Sequence, residues 1–285
     1  MRAPTPSCPL PYADRGRALS LPDVAIQADE PDFLGGVYLV KSRAELDKAL
    51  KQIPGAKGPI ALQGPGGGEM VSCTDPDGLP FHLAYGIEDK QPLDPTENRE
   101  HNFPLEKPRK GSFLRYTQSP AAVHKLGHYG LLVSNFKRTF DFYTSHLNLI
   151  PSDILTVEDG KIEVAAFCHI DQGPNYVDHH TFFFSENSKR HGPHHCSFEV
   201  HDIDTQFLGH QWLERSKGNY KPVWGVGRHI LGSQIFDYWW QPEGFMIEHY
   251  ADGDLVNDQI PTGRLPAADE ALAIWGPAVP DGFLD

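Results

Sequence analysis

The chain has 285 residues, with 25 Lys and Arg against 38 Asp and Glu, for a formal net charge of −13. That length gives one large domain or two ordinary ones, and 39% apolar with 22% charged residues is a soluble globular composition. A chain this acidic is a poor partner for nucleic acid or an anionic membrane surface, and no stretch approaches the roughly 18 consecutive apolar residues that a membrane-spanning helix needs. The opening MRAPTPSCPLPYADRGR lacks the apolar run of a secretory signal. Cysteines at 8, 73, 168 and 196 form no CxxC, which reads as reduced thiols in a cytoplasmic protein.

In chain order, residues 1–33 show no clear period and form an irregular segment. A pattern of short apolar strand, polar cap and amphipathic helix then occurs three times. The first copy is GGVYLVKSRAELDKAL, 35–50, where Ser42 and Glu45 have the spacing of a capping box and Leu46, Ala49, Leu50 and Ile53 line one face. The second is GHYGLLVSNFKRTFDFY, 127–143, with Ser134 or Asn135 as cap and Phe136, Phe140 and Tyr143 on one face. The third is HHCSFEVHDIDTQFLGH, 194–210, with Asp202 or Asp204 as cap and Ile203, Phe207 and Leu208 expected to be buried.

Two copies also end alike. DPDGLPFHLAYG, 75–86, and QPEGFMIEHY, 241–250, each place a Pro-x-Gly turn before a strand. Four residues past the turn glycine stand His82 in one and Glu248 in the other. The middle copy closes in HHTFFFSE, 179–186, a β-rich run without that turn. Each unit therefore reads as strand, helix, then several strands, and the class as α+β with curved antiparallel sheets. Residues 34–122 hold one unit plus a Pro-rich polar linker, 87–122. Residues 123–257 hold two units, and 258–285 form a tail in which ADEALAIW, 268–275, reads as a short helix.

The histidines are unevenly placed: 13 of the 15 lie between His124 and His249. His128, the pair His194–His195, and Glu248 stand at the ends of strands. Two imidazoles and a carboxylate on rigid strands make the set that holds one face of a divalent iron and leaves the other open for substrate and dioxygen. Strand alternation does not choose between His194 and His195, nor does it exclude His249 beside Glu248.

The layout resembles the vicinal-oxygen-chelate superfamily of repeated βαβββ modules. Over residues 123–257 it resembles the type I extradiol ring-cleaving dioxygenases. LGHY, then HHT at 179–181, HHC at 194–196, GRH at 227–229, Tyr238 and Glu248 follow in order and at the family's spacing. The resemblance implies that His128, His195 and Glu248 bind Fe(II), with Mn(II) an alternative. It implies that His180 is an acid–base outside the ligand set, that His229 and Tyr238 contact substrate and oxygen, and it leaves Arg228 without a firm role. It further implies a catechol-type substrate, dioxygen as co-substrate and an assembly of identical chains. A full member of the family has four modules. Three are counted here, the first of them, with His82 and Tyr38, a metal-free scaffold. A glyoxalase-like isomerase or lyase and a non-catalytic aromatic-binding protein are the other functions this fold accommodates.

Overall fold

The computed structural model describes residues 32–88, 99–216, 218–269 and 272–283. Three copies of one module are present among them. The first comprises β1 (Gly36–Leu39), α1 (Arg43–Gln52), β2 (Lys57–Ala61), β3 (Glu69–Thr74) and β4 (Pro80–Tyr85). The second comprises β5 (Val123–Val133), α2 (Phe136–His146), β6 (Leu149–Val157) and β7 (Ile162–Ile170), then a two-residue β8 (Val177–Asp178) and β9 (Phe182–Glu186). The third comprises β10 (Gly192–Val200), α3 (Ile203–Glu214), β11 (Lys221–His229), β12 (Ile235–Trp240) and β13 (Met246–Ala251).

In each module the first strand lies parallel to the last, and the remaining strands meander antiparallel. Thus β1 pairs with β4, β5 with β9 and β10 with β13. The second and third modules join through the antiparallel pair β5–β10 into one ten-stranded sheet. The first keeps its own four-stranded sheet in the order β1-β4-β3-β2. It packs on the second through a shared apolar core that includes Leu46, Phe81, Tyr143 and Phe182. The Tyr38 and Tyr129 hydroxyls meet at 2.8 Å across that seam, and Ser134 N–H donates to Asp77 at 2.6 Å. These are the architecture and the α+β class expected from the repeats.

Local signals fared unevenly. Asn135 caps α2 by accepting from Arg138 N–H, and Asp202 caps α3 by accepting from Thr205 N–H. The Ser42–Glu45 capping box does not form: Ser42 makes no side-chain cap, and only its carbonyl accepts, from Glu45 N–H. The inward face of α3 is also corrected. Ile203 and Phe207 are exposed and Leu208 only half-buried, whereas Gln206 and Gly209 are buried. Gly209 is needed there, because a Cβ would come within 2.7 Å of Ala121 in the linker laid along the helix.

The expected helix at 268–275 is not what its described part forms. Ala273–Trp275 is a strand, β16, added to β11 at one edge of the large sheet. Gly263–Pro266 is β15, which extends the other edge parallel to β6, and Leu255–Val256 is β14, which pairs with β8. The residues after 257 thus finish the sheet rather than trailing from it. The irregular segment 1–33 lies almost wholly outside the described residues.

Candidate functional site

The site is built at the centre of the ten-stranded sheet, on three adjacent strands. His128 is on β5, His195 on the neighbouring β10 and Glu248 on β13, parallel to β10 with Ser197 opposite Glu248. The backbone N–H of His128 donates to Ser197 Oγ at 2.7 Å, which pins β5 to β10 where their register shifts. Gly130 makes room for the arrangement: a Cβ would stand 3.1 Å from the His195 ring and 2.8 Å from Phe183.

One ligand-capable atom from each of His128, His195 and Glu248 lies within 4.8 Å of the other two, and all three residues are buried. His128 Nε2 is 3.0 Å from His195 Nε2 and 3.1 Å from Glu248 Oε2, while His195 Nε2 is 3.7 Å from that oxygen. Neither carboxylate oxygen has a partner at hydrogen-bonding geometry, although Glu248 is fully buried. A buried carboxylate with neither oxygen hydrogen-bonded is costly. The cluster therefore calls for a cation, and its donor set of two imidazoles and a carboxylate suits a divalent transition metal. Burial alone would raise the Glu248 pKa. The facing imidazoles of His128 and His229 outweigh it and hold the carboxyl well below the usual range. Burial, with His194 and His128 alongside, pushes His195 well below its ordinary value, so it is a neutral imidazole of the kind a metal requires.

His128 and His195 line a cavity together with His180, His229 and Tyr238, with Phe167, Phe183 and Leu231 among its apolar walls. The His180 ring lies 4.0 Å from that of His128, centroid to centroid. Its Nδ1 is 3.1 Å from His179 Nδ1, and His179 Nε2–H donates to Asp153 at 2.8 Å. Burial first, then neighbouring His128, pushes His180 well below its ordinary pKa. It is neutral and keeps Nε2 for the cavity. His229 Nδ1–H donates to the Leu272 carbonyl at 2.8 Å, so its Nε2 accepts from the Tyr238 hydroxyl at 3.0 Å. Burial and the Glu248 carboxylate raise the Tyr238 phenol well above its ordinary value, so it remains a donor.

All six sequence-derived site residues meet here. His249, which alternation alone did not exclude, is on the same strand as Glu248 but outside the cluster. Arg228 is engaged elsewhere, donating to the Ser233 carbonyl at 2.6 Å and to Asp252 at 2.8 Å. Sequence reasoning missed Phe283, whose ring stands 5.0 Å from Tyr238 and reaches the cavity from the end of the chain. A lone phenylalanine beyond the last recognised strand carries no periodic signal. Cys73, Cys168 and Cys196 are free thiols, as expected. No described helix is long and apolar enough to cross a membrane.

The Glyoxalase/Bleomycin resistance protein/Dioxygenase superfamily matches residues 125–248, the stretch that carries all the site residues. Metapyrocatechase 2 of Cupriavidus necator is 31% identical over 252 residues, which are 87% of this chain and 74% of that protein. Among solved structures, homoprotocatechuate 2,3-dioxygenase from Brevibacterium fuscum superposes with a TM-score of 0.66 at 16% identity, covering 88% of this chain and 72% of that one. The Mn(II)-bound glyoxalase from Novosphingobium aromaticivorans superposes with a TM-score of 0.65 at 22% identity, covering 85% and 71%. The two structures share the fold, and the relative in sequence gives the kinship: this chain belongs to the extradiol dioxygenase family of the Glyoxalase/Bleomycin resistance protein/Dioxygenase superfamily.

Proposed function

We propose that the chain cleaves a catechol-type ring beside its two hydroxyls, adding both atoms of dioxygen, with Fe(II) held by His128, His195 and Glu248. The observation that carries this reading is the joining of an open-faced, three-group cation site to a cavity furnished with three further proton-handling side chains. Fe(II) there would acidify the catechol hydroxyls and mediate electron flow between ring and dioxygen. The protein's own residues do the rest. Phe167, Phe183 and Leu231 give an aromatic ring an apolar wall and exclude water from it. Neutral His180, with Nε2 free, takes a proton from a substrate hydroxyl and later returns it to the oxygen that leaves when the O–O bond breaks. His179, anchored on Asp153, fixes the orientation of the His180 ring through their Nδ1 contact. Tyr238 O–H is held by His229 Nε2, which leaves the phenol oxygen as a polar acceptor at the opposite wall.

An isomerase of the glyoxalase kind would favour a fourth protein ligand, and the cluster has three among the described residues. The test is oxygen uptake with a catechol, paired with metal analysis. The enzyme should turn over as Fe(II), lose activity on peroxide treatment and recover it with reductant and ferrous iron. Equal activity with zinc or ferric iron would assign Lewis-acid chemistry instead.

A further inference from the structure

We infer that His194 and the backbone carbonyl of Phe283 form a positioning relay that sets the tautomer of His195, so that the C-terminal segment contributes directly to metal affinity. The inference rests on the reading of His195 as a ligand. Ligation through Nε2 requires a lone pair there, so the one proton of a neutral His195 ring must sit on Nδ1 and find an acceptor. The neighbour it meets is His194 Nδ1, at 2.6 Å. That nitrogen accepts only if His194 carries its own proton on Nε2, and Nε2 in turn needs an acceptor. The Phe283 carbonyl, which can only accept, supplies it at 2.7 Å. Three links thus run in one sense: His195 Nδ1–H to His194, His194 Nε2–H to the chain end, and a bare His195 Nε2 facing His128 and Glu248.

The relay spans 89 residues of sequence, and His194 is buried, so no surface group substitutes for the carbonyl without rearrangement. Packing also holds Phe283 in place. The Phe283 ring packs edge-on against His194 with centroids 5.2 Å apart and against Trp224 at 5.0 Å, and Trp224 Nε1–H donates to the Pro277 carbonyl at 2.9 Å. The other histidine pair has the same plan with a different terminus, since His179 ends on the Asp153 carboxylate. Strand patterning leaves His194 and His195 undistinguished, and the family resemblance assigns His194 no role. The geometry gives it the role of holding the other half.

The test measures anaerobic Fe(II) affinity by chelator competition on the full chain. Four variants accompany wild type: His195→Ala, His194→Phe, His194→Gln and a chain ending at Pro280. His194→Phe keeps ring volume and loses both links, so affinity should fall about 10–100-fold, the usual range for a lost partner of a metal ligand. His194→Gln can donate to Phe283 and accept from His195, and should recover most of that loss. Truncation should weaken binding like His194→Phe, and truncation added to His194→Phe should cost little more, since both cut one chain of bonds. Wild-type affinity in His194→Phe, or a truncation penalty that adds in full to it, would overturn the relay. Should His194→Phe fail to fold, the truncated chain decides alone, because its His194 is intact and unchanged affinity there refutes the link. If His195→Ala itself binds Fe(II) normally, the ligand assignment fails and the relay with it.

Discussion

His82 and Glu248 occupy the same place in modules of the same topology. Each lies on the last strand, four residues past the turn glycine, with the first strand of its module parallel alongside: Val37 opposite His82, Ser197 opposite Glu248. Their surroundings differ in one respect that decides function. His82 has its polar atoms satisfied by its own module, Nδ1 with Ser72 Oγ at 3.1 Å and Nε2 with the Leu34 carbonyl at 2.6 Å. Glu248 is fully buried with both oxygens unsatisfied and three imidazoles, those of His128, His195 and His229, turned toward it. A scaffold strand and a candidate metal strand thus differ by whether the protein itself completes the polar group. The helices above them differ in the same way. α1 buries Leu46 and Ala49, whereas α3 buries Gln206, whose amide donates to the Ile235 and His249 carbonyls, each at 2.9 Å.

The largest effect should come from exchanging the chemistry of those two positions. Glu248→Ala should abolish ring cleavage and strip most bound iron while the fold persists, because three ligands leave no redundancy on one face of the ion. His128→Ala and His195→Ala should match it. His82→Ala should leave iron and turnover intact and cost about 0.5–1.5 kcal/mol of stability for its lost hydrogen bonds. Iron analysis, oxygen uptake and urea melts on the set read out both halves, and iron retained in the Glu248 variant would end the contrast.

Next in size is His180, which touches the metal strands without belonging to the cluster. Replacing it with Phe or Asn should lower turnover by about 10²–10⁴, the range for a lost general acid–base, with iron content and catechol binding nearly unchanged. Near-normal turnover would make it a packed strand residue. Loss of iron would make it a ligand.

How much of this was legible beforehand depends on the range of the signal. The three modules were readable because strand, cap and helix repeat locally, whereas the full cluster came only through the resemblance of LGHY, HHC and the strand of Glu248 to a known family. The choice of His195 over His194 was not available from alternation. Both side chains are buried, and what separates them is a carbonyl 89 residues away. The inward face of α3 was misread for a related reason. Ile203 and Phe207 look like core residues by period, but the linker laid across the helix and the polar bonds beneath it turn Gln206 and Gly209 inward. β16 was misread as a helix because its pairing with β11 is a tertiary fact that overrides the helix-favouring alanines and leucine.

Smaller again is the contrast between the helices under load. Leu46→Ala in α1 removes a fully buried side chain and should cost about 2–5 kcal/mol with little dependence on pH, because the lost interaction is apolar packing. Chemical denaturation at two pH values gives the comparison. A pH-dependent penalty at Leu46 would mean that the first module is not held by apolar packing alone.

The smallest effect is the one that depends on pH. In α3, His210 Nδ1–H donates to Asp237 on β12 at 3.0 Å, and Asp237 is fully buried, with the Trp239 indole N–H as its other donor at 2.8 Å. The bond to Asp237 is the main cause raising the His210 pKa above its ordinary 6.5, outweighing the opposing effect of burial. A folded-state value above the unfolded one means that the native protein holds this proton more tightly than the denatured chain does. The charged pair therefore contributes fully below about pH 6.5 and fades as pH rises through the raised value. His210→Ala should cost about 1–2 kcal/mol at pH 5.5, and progressively less as the pH rises and the wild-type ring gives up its proton. Asp237→Asn should flatten the same pH dependence, since a neutral amide gives the imidazolium no preference over the imidazole. Urea melts of wild type and both variants at rising pH would show it. A His210→Ala penalty that grows with pH would reverse the sign and place the origin of α3 stability in its apolar contacts, making α3 a copy of α1 rather than its polar counterpart.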